Sequence, residues 1–421
     1  MHIIVKVYKF VQHNGILSAF RRVLLELSKN KAMKLPSTNK LRVLFIASDN
    51  NRTSGAFLSM VALNVILREK YQVDTFVIIP NPGDGDELLI KNKIPYMMIE
   101  SFDWVLPLEF QHTLECDKEI ERRKSRNSKA VSILSRFIKK NHFNIVHINT
   151  TYSYVGALAA LSAKIPFIWH IREFLEEDQG NTLWDRQQGN RLINQSSKVV
   201  AISKSIYKKY QKVIDASRLV CIPNGIDDKK FYFANKTILK TDCVKFIFVG
   251  GFEYYKGQIE FAKACTLLYK KGYDFEVHFI GTGRKEIQDK VRNIFDEEGM
   301  SNKIFYHGYK NNVADYLKMT DISFTCSKSE AFGRTTVEAM LAGNLVIGAN
   351  TAGTQELIND GVTGLLYEQG NAQNLYEKMV WTLQNRLKAQ KIAQAGREYM
   401  YQNMTSEINA DKIFALYQEI L

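Results

Sequence analysis

Cysteine is scarce in these 421 residues, and its five copies are scattered: Cys116, Cys221, Cys243, Cys265 and Cys326. The count is odd and no C-x-x-C occurs, which excludes a disulfide framework and a structural zinc and suggests a reduced, cytoplasmic protein. Nor is there an uninterrupted apolar run of about 18 residues, the least that spans a bilayer as a helix. The nearest, Val155–Ala163, is stopped by Lys164 and Pro166. The opening stretch MHIIVKVYKFVQHNG has lysines within its apolar part and no small-residue cleavage site, so no secretion signal is expected. No His/Cys cluster has metal-ligand spacing, and no short-period repeat is visible.

Positive charge is in excess: 57 Lys and Arg stand against 44 Asp and Glu, for a net +13. The excess is uneven. Residues 1–40 carry Lys6, Lys9, Arg21, Arg22, Lys29, Lys31, Lys34 and Lys40 against Glu26 alone. Within them Ile16, Leu17, Phe20, Val23, Leu24 and Leu27 recur at helical spacing, with Arg21, Arg22 and Lys29 elsewhere on the wheel. A basic amphipathic helix of this kind can lie in the headgroup layer of an anionic membrane. Residues 1–40 are therefore expected to make peripheral contact with the inner face of the cell membrane; packing on the first domain is the alternative. Nucleic acid is not an expected partner, because the basic region lacks interleaved aromatics and any known motif.

From Leu41 onward, short β-branched runs alternate with longer helical patterns, the signature of a parallel α/β architecture. Strands are expected at Leu41–Ser48, Val73–Pro80, Ile94–Glu100, Ile145–Asn149, Phe167–Ile171 and Lys198–Ser203. A polar stretch then interrupts the series, which restarts at Lys245–Val249 and continues with Phe275–Ile280, Ile304–His307, Ile322–Cys326, Leu345–Ala349 and Gly364–Tyr367. The fold class is α/β with two Rossmann-like domains whose parallel sheets face an interdomain cleft. The expected division is a basic extension over 1–40, a first domain over 41–227, a linker over 228–243, a second domain over 244–400 and a C-terminal helix over 401–421 packing back on the first domain. Ligands of open parallel sheets bind beyond the carboxyl ends of the strands.

The most informative segment is Ser327–Gly370. Glu330 and Glu338 lie eight positions apart, with Ala331-Phe332-Gly333 turning the chain from strand to helix between them. A helix starting near Gly333 would aim its free N–H groups at an anion. Glu338, about one and a half turns in, could accept paired hydrogen bonds from vicinal hydroxyls.

This segment resembles the donor-site signature of glycosyltransferase family 4, retaining enzymes with the GT-B fold. The match runs through Glu330, Phe332, Gly333, Glu338, Ala339, Met340, Gly343, Val346, Ile347, Gly353, Glu356, Gly361 and Gly364. The resemblance implies that Glu330 contacts the donor sugar and Glu338 the nucleotide ribose. It puts Phe332 and Gly333 where backbone amides meet sugar and diphosphate. A second family element, V-G-R-x-x-x-x-K-G, reads here Val249-Gly250-Gly251 through Lys256-Gly257. Lys256 is in place to hold the diphosphate, but Gly251 stands where the family has arginine; Arg334 is a candidate to supply that charge.

Gly281 and Gly283 follow a strand at a turn that borders the family's donor pocket. Gly308 and Tyr309 fall where its backbone meets the nucleobase. His170, at the end of a strand of the first domain, matches a histidine that reaches the donor sugar. The expected catalytic set is Glu330, Lys256 and His170, with no metal or other cofactor, the nucleotide sugar being a co-substrate. Asp84-Gly85-Asp86 is read as a solvated turn. The implied activity is transfer from a nucleotide sugar, by default a UDP-sugar, to a glycan or lipid-linked acceptor in bacterial surface-polysaccharide or glycolipid assembly. A non-catalytic partner subunit and a nucleotide-sugar epimerase are the alternatives.

Overall fold

The computed structural model describes residues 35–109 and 114–421. Most of the basic segment 1–40 lies outside the described residues. Of the part that is described, Leu35 N–H donates to Asn141 Oδ1 at 2.7 Å and Pro36 C=O accepts from Arg42 Nη2 at 2.6 Å, so the chain enters against the first sheet. Among the described residues no helix is long and apolar enough to cross a membrane.

Strands are numbered in chain order: β1 Arg42–Ile46, β2 Asp74–Ile79, β3 Tyr96–Met98, β4 Val105–Pro107, β5 Ile145–Ile148, β6 Phe167–Ile171, β7 Asn181–Leu183, β8 Lys198–Ala201, β9 Leu219–Cys221, β10 Val244–Val249, β11 Phe275–Ile280, β12 Ile304–Tyr306, β13 Ile322–Thr325, β14 Leu345–Ala349 and β15 Leu365–Tyr367. One sheet has the order β3-β2-β1-β5-β6-β8-β9 and the other β12-β11-β10-β13-β14-β15. Every pairing in both is parallel. The strands are continuous apolar runs because helices cover both faces; β1, for example, is buried along its whole length. A small antiparallel pair of three-residue strands, β4 with β7, lies apart from both sheets and is not among the expected strands.

Strand order reverses between β1 and β5 in the first sheet and between β10 and β13 in the second. Loops leaving these strands diverge and open a crevice. The segments after β1, β10 and β13 are those that carry the motifs.

The chain crosses between the halves twice, side by side. Ile226 N–H donates to Met404 C=O and Ser406 N–H to Ile226 C=O, both at 2.9 Å. The sequence division at 400/401 falls inside the helix Arg386–Asn403, which runs on until the crossing itself; a helical period carries no mark of the sheet it packs on. The final helix, Ser406–Ile420, packs on the helix Gly55–Glu69 of the first half, with Lys70 Nζ bridging Glu407 at 2.5 Å and Asp411 at 2.9 Å.

A second tie between the halves runs through Glu356. Its carboxylate accepts the backbone N–H groups of Lys204 at 2.7 Å and Ser205 at 2.6 Å, at the start of the helix Lys204–Tyr210. A helix start leaves such groups unpaired and carries partial positive charge, so a carboxylate from the opposite half is well matched to it. Glu356→Ala is expected to lower the denaturation midpoint, with a loss of about 1–2 kcal/mol as for other helix caps. An unchanged midpoint would show that water replaces the contact without cost.

Candidate active site

In the second half, the loop after β10 and the loop after β13 are zipped together. Gly257 has φ +78°, and a Cβ there would stand 2.2 Å from Cys326 C=O, so only glycine allows the two segments to touch. Lys328 N–H donates to Tyr255 C=O at 2.8 Å. This contact brings Lys256 Nζ to 2.5 Å from Glu330 Oε1, which also accepts from Ser327 Oγ at 2.8 Å. Burial alone would pull the Lys256 ammonium down, but the charge and hydrogen bond of Glu330 outweigh it and hold it above the ordinary lysine value.

The helix Arg334–Leu341 begins at Gly333, which takes the left-handed conformation at φ +90°, with Phe332 buried beside it. One turn in, Glu338 is almost fully buried and receives Arg334 Nη2 at 3.3 Å. Burial raises the Glu338 carboxyl above the usual range, opposed by the charges of Arg334 and Lys230. Arg334 also reaches into the first half. Its Nη1 donates to Ser59 Oγ at 2.7 Å, and its Cδ lies 3.1 Å from where a Cβ on Gly55 would stand. The arginine expected to replace the family's missing charge thus shares its own with Glu338.

The ends of β10, β11 and β12 form a rim of glycines beside this pair. Gly250 N–H donates to Ile280 C=O and Gly281 N–H to Gly308 C=O, each at 2.9 Å, and Gly283 bridges to Phe252. Tyr309, next to Gly308, is 44% exposed. At Gly251 a Cβ would stand 3.0 Å from Thr282 C=O, a crowded place for any side chain.

His170 departs from expectation. Its ring is fully buried at the end of β6 and does not form the surface of the cleft. The reason is a hydrogen-bonded chain. Tyr417, from the final helix, lies 2.6 Å from His147 Nδ1, and His147 Nε2 lies 3.0 Å from His170 Nδ1. Arg172 Nη2 also donates to His170 Nδ1, at 3.2 Å. A guanidinium only donates, so His170 Nδ1 accepts and its proton sits on Nε2, which has no partner. Burial, and then the charge of Arg172, hold both imidazoles well below the ordinary value, hence neutral.

Two residues of this region were not legible as site residues. Arg172 is buried immediately after β6. Asp178, in the next loop, lies in hydrogen-bonding range of the Ser329 side chain and close enough to Glu330 and Lys256 to feel their charges. Its Oδ1 is buried without a partner. Burial raises its carboxyl to about 6, partly offset by Ser329, reinforced by Glu330 and opposed by Lys256. In sequence the run Glu176-Glu177-Asp178 reads as a solvated acidic turn. Asp84 and Asp86 are engaged locally, with Arg52 and Tyr96 respectively. Among the described residues, no three His, Cys, Asp or Glu side chains group as a metal site.

Residues 230–399 match the family model described as Glycosyl transferases group 1, and residues 116–230 the one described as Glycosyltransferase Family 4. N-acetyl-alpha-D-glucosaminyl L-malate synthase of Bacillus anthracis is 25% identical over 238 residues, which are 54% of this chain and 61%, less than two thirds, of that protein. UDP-Gal:alpha-D-GlcNAc-diphosphoundecaprenol alpha-1,3-galactosyltransferase of Escherichia coli is 23% identical over 278 residues, 61% of this chain and 70% of that one. Among solved structures, Anabaena Alr3699/HepE in complex with UDP and glucose superposes with a TM-score of 0.72 at 20% identity, covering 90% of this chain and 100% of that one. At that identity the likeness speaks for the fold.

Two outcomes follow from the geometry. Gly257→Ala is expected to destabilise by roughly 1–3 kcal/mol, measured by denaturation, and to move Lys256 off Glu330. For Asp178 the folded value is raised, so its ionised form costs stability above pH about 6, and the cost vanishes below the unfolded value of roughly 4. Asp178→Asn should therefore melt higher than the parent at pH 8, with the gap closing as the pH falls to 4. A gap that is constant across that range would contradict the burial of this carboxylate.

Proposed function

The chain belongs to glycosyltransferase family 4, and from that premise we propose that it moves a sugar from a nucleotide sugar, a UDP-sugar by default, to a hydroxyl of a glycan or lipid-linked acceptor with retention of configuration. The observation that carries this reading is the pair of glutamates eight positions apart, each holding a cation at the switch point of the second sheet: Glu330 with Lys256 and Glu338 with Arg334. In this reading Lys256 binds the diphosphate and Glu330 the sugar hydroxyls it can exchange for Ser327. Glu338 accepts the ribose hydroxyls, and Tyr309 faces the base.

The chemistry follows from charge. The bond between the anomeric carbon and the diphosphate oxygen breaks, and negative charge grows on the leaving diphosphate. Preorganised donors aimed at that charge lower the barrier: the Lys256 ammonium and the first N–H groups of the helix Arg334–Leu341. The acceptor oxygen attacks from the face the diphosphate leaves, and its proton passes to the diphosphate. No protein base or nucleophile is assigned, and no metal is proposed, since these cations take its place. Closure of the halves excludes water from the sugar. One relative is named as a galactosyltransferase acting on a diphosphoundecaprenol-linked sugar, which supports a setting in surface-polysaccharide or glycolipid assembly. Peripheral contact of residues 1–40 with an anionic membrane belongs to the same proposal. His170, one layer beneath the cleft, is proposed to meet the sugar through Nε2–H as the halves close.

Gly251 favours a second reading, a partner subunit that keeps the fold without activity. The two separate in one measurement: thermal stabilisation by UDP-, GDP-, ADP- and dTDP-sugars. A ligand at about 100 times its Kd should add about 2.7 kcal/mol. One nucleotide series is expected to stabilise the parent and to lose that effect in Lys256→Ala and Glu338→Ala. No stabilisation by any donor would favour the partner subunit.

A further inference from the structure

Lys256 has a carboxylate partner in Glu330 and Arg334 has one in Glu338, and a further cation, Arg172, lies close enough to Arg334 to feel its charge. Arg172 has none. Its guanidinium, in a residue only 7% exposed, donates from Nε to Asn149 Oδ1 at 2.9 Å, from Nη1 to Asn224 Oδ1, and from Nη2 to His170 Nδ1, all neutral acceptors. Glu173, its neighbour, is turned away: its carboxylate accepts from the Thr151 N–H and hydroxyl and from the backbone N–H of Arg172. Among the described residues no carboxylate pairs with this guanidinium.

A buried charge without a counter-ion is costly, and the cost falls when an anion arrives. The surroundings say where. Asn149, which holds Arg172, also donates to Ala56 C=O at 3.1 Å, at the first turn of the helix Gly55–Glu69. Arg334 lies over Gly55 of the same turn. Guanidinium groups from both halves therefore converge on one helix start, whose dipole has the same sign. Burial, and next the charge of Arg334, depress Arg172 to about 9, with the charge of the neighbouring Glu173 carboxylate opposing them.

We propose that Arg172 binds the diphosphate of the nucleotide-sugar donor from the first half, supplying the cation that Gly251 leaves out beside Lys256. The assignment rests on the donor-site reading above. It explains how a chain with glycine in place of arginine at position 251 still gathers charge for a leaving diphosphate. The cation comes from the opposite domain, so diphosphate binding and domain closure become one event.

The test measures binding of UDP and of uridine by calorimetry, with GDP/guanosine, ADP/adenosine and dTDP/thymidine beside them, for the whole chain. Three variants are compared: Lys256→Ala, Arg172→Gln and Asn224→Asp. The last keeps the shape of the network and gives Arg172 a carboxylate, so it tests the assignment even where Arg172→Gln fails to fold. The expected result is that the preference of the parent for nucleoside diphosphate over nucleoside falls roughly tenfold or more in Asn224→Asp, as for loss of a charge-assisted hydrogen bond. Folded Arg172→Gln should show the same, with nucleoside affinity kept. If Lys256→Ala loses the preference and folded Asn224→Asp keeps it, the Arg172 assignment falls and the donor site stands. If no diphosphate binds the parent better than its nucleoside, both fall.

Discussion

The site depends on the chain crossing between its halves twice at one place. Ile226 and Ser406 hydrogen-bond across that crossing, and everything that must meet in the cleft is placed relative to it. Asn224, two residues before the first crossing, touches Arg172. Tyr417, in the helix that follows the second, reaches His147 and through it His170. The end of the first sheet that carries His170 and Arg172 is thus set partly by a helix that enters after the second sheet is complete.

On the second sheet the arrangement is local. A glycine at φ +78° lets one loop lie on another, and the contact delivers an ammonium to a carboxylate 74 positions away in sequence. The two glutamates differ in what they offer. Glu330 is partly exposed and shared between Lys256 and Ser327. Glu338 is deeper and bound to an arginine that itself spans the cleft.

Much of this was legible in the sequence, and for a physical reason. Glu330, Glu338, Gly333 and Lys256 belong to short segments in which the local turn and the chemistry are encoded together. The two sheets were legible because buried parallel strands are apolar throughout. Arg172 and Asp178 were not, because nothing local distinguishes a strand-end arginine or a turn aspartate from a solvated one. Their character comes from what faces them: Asn149, Asn224 and His170 around the first, and Ser329 with Glu330 from the opposite half around the second. His170 was singled out for its position in the motif, but its burial depends on Tyr417, 247 residues further on.

The grip of Glu356 on the helix Lys204–Tyr210 gives the halves a catch as well as a hinge. Parting them leaves two backbone amides and a carboxylate to be rehydrated together, all small groups that water serves well. The catch therefore resists weakly and reversibly. A molecule fastened this way can part and reclose at this point, and the amides of Lys204 and Ser205 would become accessible to solvent deuterium each time it does.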